Sequence, residues 1–182
     1  MNDDPLEARL IARVQSGDAE AYDAIVERHL RRVIGIAFSI VRNAHDAEDL
    51  AQEAFVKAYQ NIGRFRAGAS FGPWIGRIVT NLALDLTKHR TKFRHEPIEE
   101  TQPAARRDDA ELPALQRDAA SRIDAALDEL PEMQRIVARL HLIEEMEHAE
   151  IAEVTGISEG TVRSHLSLAR TKLKAKLADL YD

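Results

Sequence analysis

The chain has 182 residues, a net charge of −6 and no cysteine. This length allows one medium-sized domain or two small ones, and the lack of cysteine excludes disulfides and thiolate metal sites. No apolar run approaches the ~20 residues that span a bilayer, and the acidic first residues are unlike a signal peptide. We therefore expect a soluble, cytoplasmic protein that does not insert into membranes.

Acidic and basic residues are segregated along the chain. Acidic residues concentrate in segments 96–118 and 144–153, whereas basic residues concentrate in segments 88–95 and 163–176. Two basic segments on an acidic chain favour local contacts with nucleic acid. They are also compatible with two solvated helix ends, because lysine and arginine suit helix C termini. Charge alone leaves both interpretations open.

Apolar residues recur at three- and four-residue spacing in almost every segment, which predicts an all-α fold. A first helix begins near Pro5, and a second ends near Val41. Asp46 caps the third helix, Gly63 ends it, and Ser70 opens the fourth. These positions predict a bundle of four helices in the first half of the chain.

Residues 96–118 interrupt the helical pattern with three prolines, abundant charge and few large apolar side chains. Such a composition predicts a flexible linker, which would reach about 75 Å when fully extended. Helical periodicity resumes at Ile123. We therefore predict two small helical domains, residues 1–95 and 119–182, joined by a linker at 96–118.

The strongest local motif covers residues 148–166. Gly156 lies where a tight turn between two helices requires a positive φ, and Ser158 can cap the second helix. Val162 and Leu166 begin the buried stripe of that helix. The pattern predicts a helix-turn-helix, whose second helix normally enters the major groove of DNA. A helical hairpin packed for structural reasons alone is the alternative.

The face opposite the buried stripe carries small polar residues, one leucine and one arginine. Serine and threonine hydroxyls bond bases or phosphates, leucine can touch a thymine methyl, and arginine can hold guanine or phosphate. This candidate reading face contains Gly160, Arg163, Ser164, Ser167, Leu168 and Thr171.

Four motifs, taken in chain order, are similar to the extracytoplasmic-function (ECF, group IV) family of RNA polymerase sigma factors over nearly the whole chain. The motifs are Gly17-Asp18, residues 46–55, the series Phe65, Phe71, Trp74 and Asn81, and residues 160–170. The resemblance implies sigma region 2 in the first domain and region 4 in the second. It implies a subunit that binds core RNA polymerase and directs promoter-specific initiation, recognising the −35 element as duplex and the −10 element as non-template strand.

The outer face of the third helix carries acid and amide groups around one valine, which suits protein docking. The resemblance implies that the clamp helices of the polymerase beta-prime subunit bind there. An ordinary solvated face is the alternative. The residues of this candidate docking face are Asp46, Asp49, Gln52, Glu53 and Val56.

The resemblance implies that the fourth helix and the loop before it capture the −10 non-template strand. Asn81 matches the family position that helps to hold a flipped base, and an aromatic side chain in the loop can stack on an unpaired base. Phe65 is equally compatible with a plug in the core. The candidate −10 residues are Phe65, Arg66, Arg77, Asn81 and Lys88.

Three further residues join the −35 face through the resemblance. Thr161 belongs to the matched motif, and His141 lies where a relative can use arginine on phosphate. At His165 and Leu168 many relatives carry arginine, so we expect fewer charged contacts to the −35 element or different base preferences.

The resemblance also implies contact with the polymerase beta flap, with promoter DNA and with an anti-sigma factor. We expect no enzymatic activity, cofactor or metal, because Glu145 and His148 form a single ExxH pair and no phosphate-binding loop occurs. A stand-alone helix-turn-helix regulator and a protein-binding adaptor are the competing functions.

Overall fold

The computed structural model describes residues 5–66, 68–92 and 114–178, and the elements there are helical, in agreement with the predicted all-α fold. The α-helices are α1 Pro5–Gln15, α2 Glu20–Val41, α3 Ala44–Asn61, α4 Phe71–Lys92, α5 Ala114–Asp128, α6 Glu132–Leu142, α7 His148–Thr155 and α8 Glu159–Lys176. A single 3₁₀ turn, Ile62–Arg64, follows α3. In the described ranges no helix has an apolar stretch that would traverse a bilayer.

The described helices belong to two compact units. The first contains α1 to α4, and the second contains α5, α6, α8 and most of α7. Helix α5 begins at Ala114 and so overlaps the last five residues of the predicted linker. The linker residues before it lie outside the described residues, and the domain boundaries stay a prediction.

Helices α2, α3 and α4 form the core of the first unit. Alanines at 47, 51, 54 and 58 line the inner face of α3, and their small size lets the neighbouring helices approach closely. The fully buried side chains of Ile25, Ile36 and Ile75 fill the space between the three helices. Helix α1 ends at Gln15, and Gly17 follows it with a φ of 100°, a conformation that glycine adopts without strain.

The predicted cap of α3 is wrong by three residues. The helix begins at Ala44, and the Asn43 side chain accepts a hydrogen bond from the backbone N–H of Asp46 at 3.0 Å. Asp46 is therefore the third residue of the helix. Its carboxylate accepts two hydrogen bonds from the Arg90 guanidinium, at 2.6 and 2.9 Å, and raises the pKa of Arg90. This contact joins the start of α3 to the end of α4.

Three aromatic rings lie together where the loop after α3 meets α4. The centroid of the Phe65 ring lies 4.8 Å from that of Trp74 and 5.9 Å from that of Phe71. Only 7% of Phe65 is exposed. This burial favours the core-plug alternative, because a ring that is 7% exposed offers little surface to an unpaired base, and the part of Phe65 at the −10 element stays a prediction.

Helices α5, α6 and α8 enclose the core of the second unit, which contains Leu127, Leu130, Ala138, Ala169 and Leu173. The predicted turn and cap of the helix-turn-helix are both confirmed. Gly156 ends α7 with a φ of 74°, and the Ser158 hydroxyl accepts from the backbone N–H of Thr161 at 3.1 Å.

A buried cation joins α5 to α6. Only 1% of the Arg139 side chain is exposed, and its guanidinium donates to Asp124 at 2.6 Å and to Asp128 at 2.9 Å. Both carboxylates remain about one-third exposed to solvent, at 34% and 38%. Loss of the two acids would leave the buried guanidinium uncompensated, whereas loss of the guanidinium would leave two acids that water can still solvate.

Because the cation is buried and the two acids are partly exposed, we expect removal of the acids to cost more stability than removal of the cation. The double change Asp124→Ala and Asp128→Ala leaves a buried guanidinium unpaired, so we expect the free energy of unfolding to fall by about 3–5 kcal/mol. Arg139→Met removes the charge and keeps an apolar stem, and we expect a loss below about 1.5 kcal/mol. Urea unfolding followed by circular dichroism measures both, and a larger loss for Arg139→Met would contradict the assignment.

The core position of Phe65 predicts a loss of stability on truncation. Phe65→Ala should lower the free energy of unfolding by about 3–5 kcal/mol, whereas Phe65→Leu keeps most of the buried volume and should cost less than about 1.5 kcal/mol. Arg66→Ala, at the exposed neighbouring position, is the control and should be nearly neutral. Urea unfolding checks the series, and a neutral Phe65→Ala would mean that the ring is not a core residue.

Candidate nucleic-acid and polymerase interfaces

The candidate reading face of α8 is open to solvent. Gly160, Arg163, Ser164, Ser167 and Thr171 are exposed, as are Thr161 at the helix start and Leu168, which is 51% exposed. Val162, Ala169 and Leu173 are buried on the opposite side. The helix therefore presents one continuous polar strip with a single aliphatic side chain in it.

The hydroxyl groups on this strip are held by the helix itself. Ser164 donates to the carbonyl of Gly160 at 3.0 Å, and Thr171 donates to the carbonyl of Ser167 at 3.1 Å. A hydroxyl that donates one hydrogen bond still has acceptor capacity, so both can accept from a base amino group. Arg163 is paired with Glu159 at 3.1 Å, but its side chain is 62% exposed. A solvated pair of this kind is weak, so a phosphate can replace the glutamate.

The two histidines of the candidate −35 set are less exposed than the serines. His165 is half-buried, and its Nδ1 is buried with no hydrogen-bond partner among the described residues. His141 is also half-buried, and its Nδ1 lies 3.0 Å from the carbonyl oxygen of Met146. Its ring centroid lies 5.2 Å from that of His148. Both histidine rings are therefore less accessible to solvent than an arginine side chain on this face would be.

The candidate −10 residues other than Phe65 lie on the surface of the first unit. Arg77, Asn81 and Lys88 are exposed along α4, at spacings that place them on one side of the helix. Arg66 is exposed in the preceding loop, where Gly68 adopts a φ of 82°. Lys88 approaches Asp85 only to 3.9 Å, so its charge remains available to a phosphate.

The candidate docking face of α3 is confirmed as exposed at four of its five positions. Asp49, Gln52, Glu53 and Val56 face solvent, and Val56 is 56% exposed. Asp46 is the exception, because its carboxylate is engaged by Arg90 and 19% exposed. An exposed valine among polar groups remains a suitable anchor for a partner.

Sequence reasoning missed an aromatic residue beside this face. Tyr59 is 45% exposed, and its ring centroid lies 4.9 Å from that of Tyr22. Tyr22 donates to the carbonyl of Phe55 at 2.6 Å, and burial raises the pKa of its hydroxyl. Together with Val56 these rings line a shallow groove of about 370 Å³. The sequence signal was the spacing, since Tyr59 follows Val56 by three residues on one helix.

A second feature that sequence reasoning missed is an apolar groove of about 640 Å³ in the second unit. Leu142 is 55% exposed at the end of α6, and Ile123 of α5 is 40% exposed. Arg170 and Lys174 lie at its rim. The aliphatic lining with a basic rim suits a segment that carries apolar and acidic side chains. The residues that line the aliphatic part are Ile123, Leu142, Leu166, Leu173 and Leu177.

Comparison with known proteins assigns both units to one family. The family description Sigma-70 region 2 matches residues 25–93, and Sigma-70, region 4 matches residues 120–173. The ECF RNA polymerase sigma factor SigW of Bacillus subtilis is 31% identical, covering 93% of this chain and 96% of its own length. The ECF sigma factor SigE of Mycolicibacterium smegmatis is 34% identical over 90% of this chain and 65% of its own.

Two solved structures are similar to this chain in fold. CnrH, solved in complex with the cytosolic domain of CnrY, is 27% identical, with a TM-score of 0.70 over 96% of this chain and 98% of its own. The sigma factor RpoE of Bartonella quintana, solved with the anti-sigma factor NepR, covers 88% of this chain and 98% of its own, with a TM-score of 0.71. At 22% identity this second likeness concerns the fold alone. The two matched regions and the near full-length relatives establish that this chain belongs to the extracytoplasmic-function family of RNA polymerase sigma factors.

Proposed function

We propose that this chain binds core RNA polymerase and directs it to promoters. The first unit docks on the polymerase and captures the non-template strand of the −10 element, and the second unit binds the −35 element as duplex. The observation that carries the proposal is the presence, on one chain, of a sigma region 2 unit and a sigma region 4 unit, each with an exposed candidate interface.

The exposed strip of α8 supports the −35 role. Its small residues permit close approach of the helix to base edges, and the hydroxyls of Ser164, Ser167 and Thr171 offer acceptors to the groove. Leu168 suits a thymine methyl, and Arg163 can exchange Glu159 for a phosphate. Because His165 is half-buried, we expect it to make fewer charged contacts to the −35 element than an arginine at this position would make.

The −10 role is supported by the exposed side of α4. Asn81 has an amide that can both donate to and accept from the edge of an unpaired base. Arg66, Arg77 and Lys88 lie exposed in the loop and on the same helix, and they can neutralise backbone phosphates. Phe65 is not included in this role, because its ring belongs to the core.

Two surfaces support binding to proteins. The outer face of α3, with Asp49, Gln52, Glu53 and Val56, is proposed to bind the clamp helices of the beta-prime subunit. The apolar groove of the second unit is proposed to receive the beta flap. We further propose an anti-sigma partner, because the sigma factor RpoE, which has a similar fold, was solved with the anti-sigma factor NepR. The same surfaces would then be hidden until the partner is released.

The chain carries out no covalent step in this proposal and uses no cofactor or metal. Polymerase performs the chemistry, in the cytoplasm where the DNA lies. The alternative of a stand-alone regulator requires tight duplex binding by the free chain, which a net charge of −6 opposes.

The test is transcription in vitro with core polymerase and a library of random promoter sequences. The purified chain should associate with core polymerase and enrich one two-part motif, and the free chain should not shift the same DNA. Failure to associate with core polymerase would refute the proposal. A shift of duplex DNA by the free chain alone would favour a stand-alone regulator.

Asn81→Ala should impair promoter opening more than closed-complex formation, because the amide is needed only after the strands separate. We expect opening to fall about tenfold, the effect of one good base contact. Permanganate reactivity of unpaired thymines measures opening, and a gel shift with core polymerase measures occupancy. Asn61→Ala, which alters an exposed asparagine at the end of α3, is the matched control. Equal losses of opening and occupancy would contradict the role of Asn81.

Ser164→Glu should abolish binding to the −35 element, since a carboxylate on the reading face repels phosphate and removes a compact hydroxyl. The same change at Ser121, an exposed serine of α5, leaves the total charge identical and serves as the control. Footprinting of the holoenzyme on a promoter from the library checks both variants. Protection of the −35 element that survives Ser164→Glu would remove this part of α8 from the reading face.

A further inference from the structure

Helix α1 contacts both ends of the loop between α3 and α4. At one end, the Gln15 side-chain amide donates to the carbonyl oxygen of Ile62 at 2.8 Å and to that of Phe65 at 3.0 Å. Gln15 is the last residue of α1 and lies 47 and 50 residues away from these partners in the chain. One side chain therefore bridges two backbone carbonyls of the turn that leads into the loop, and the carbonyl of Ile62 also accepts from the backbone N–H of Phe65 at 3.0 Å.

At the other end of the loop, the contact is made by a buried acid. Glu7 is 5% exposed, and its carboxylate accepts from the backbone N–H of Phe71 at 3.3 Å. Phe71 is the first residue of α4, whose N–H has no partner within the helix. The positive end of the helix dipole favours a carboxylate at this position. The other oxygen of Glu7 lies 2.8 Å from Nε2 of His29 on α2.

The loop between these two attachments carries part of the candidate −10 surface. Phe65 is anchored inwards by Phe71 and Trp74, whereas the next residue, Arg66, is exposed. Gly68, with a φ of 82°, has no side chain to restrict the backbone there. Within the loop the backbone N–H of Ala69 donates to the carbonyl of Arg66 at 3.1 Å. Attachment of the two ends restricts the segment further, which matters because fixing each residue costs about 1–2 kcal/mol of conformational entropy.

We propose that Gln15 and Glu7 are positioning residues for capture of the −10 strand. They belong to neither candidate DNA-binding set, but they hold the two ends of the loop that carries the exposed Arg66. The inference rests on the proposed function, to which it adds a role for α1. It predicts a defect in strand capture while polymerase docking and −35 binding stay intact.

Substitutions of Gln15 test the idea because the side chain can be varied without opening the core. Gln15→Leu removes the donor at similar size, whereas Gln15→Lys supplies a new donor at the same place. We expect Gln15→Leu to lower the ratio of open to closed complexes about fivefold to tenfold, the value of one or two neutral hydrogen bonds. Gln15→Lys should recover the ratio to within about twofold.

Two measurements separate positioning from a general loss of stability. Affinity of the holoenzyme for a single-stranded oligonucleotide with the enriched −10 sequence should fall for Gln15→Leu by the same factor, while −35 footprints stay unchanged. Trp74 is the single tryptophan of the chain and packs on Phe65, so its fluorescence reports whether the loop remains anchored. Gln15→Leu should increase quenching of Trp74 by acrylamide with an unaltered far-ultraviolet spectrum.

The inference is overturned if Gln15→Leu leaves the open-to-closed ratio unchanged, or if Gln15→Lys is as defective as Gln15→Leu. It is also overturned if opening and −35 binding decline together, since that pattern belongs to unfolding. Asn81→Ala and Arg66→Ala in the same assays keep the proposed function separate. If both are neutral, the −10 role itself fails; if they impair opening and Gln15→Leu does not, only the role of α1 fails.

Discussion

The first unit depends on a carboxylate that is removed from water. Glu7 is buried where α1, α2 and the start of α4 meet, and a charge in that position is tolerated only if its oxygens are satisfied. His29 and the backbone N–H of Phe71 satisfy them. The position of α1 and the start of α4 are therefore fixed together. Because the start of α4 is held there, the same contacts set the position of its exposed side, which carries Asn81.

In the second unit, a buried cation rather than a buried acid joins two helices. Arg139 is buried, and Asp124 and Asp128 of α5 satisfy its guanidinium. This contact joins α5 to α6, and loss of its acids would leave the buried cation uncompensated. The reading helix α8 then packs on the same core through Ala169 and Leu173.

The distribution of charge is consistent with two interfaces that act together. In the candidate DNA-binding sets, Arg163 and Lys88 are only loosely paired at the surface, with Glu159 and Asp85. Each interface by itself is expected to bind weakly. Display of both by one polymerase raises the effective concentration of the second site once the first is bound. The weakness of each separate interface limits DNA binding by the free chain, and the display of both interfaces on one polymerase strengthens binding by the complex.

The sequence by itself determined the all-α class, the turn at Gly156, the cap at Ser158 and the family, because these depend on local periodicity, backbone conformation and short motifs. It misplaced the start of α3 and the start of α5 by a few residues. It did not determine whether an aromatic or an acid in a surface-like segment faces inwards. The Phe65 ring packs against Phe71 and Trp74 in the core, and the Asp46 carboxylate is engaged by Arg90, which is 44 residues away. The contacts of Gln15 and Glu7 also could not be predicted from the sequence. Only the tertiary structure brings such distant residues together, and long-range contacts leave no periodic trace in the chain.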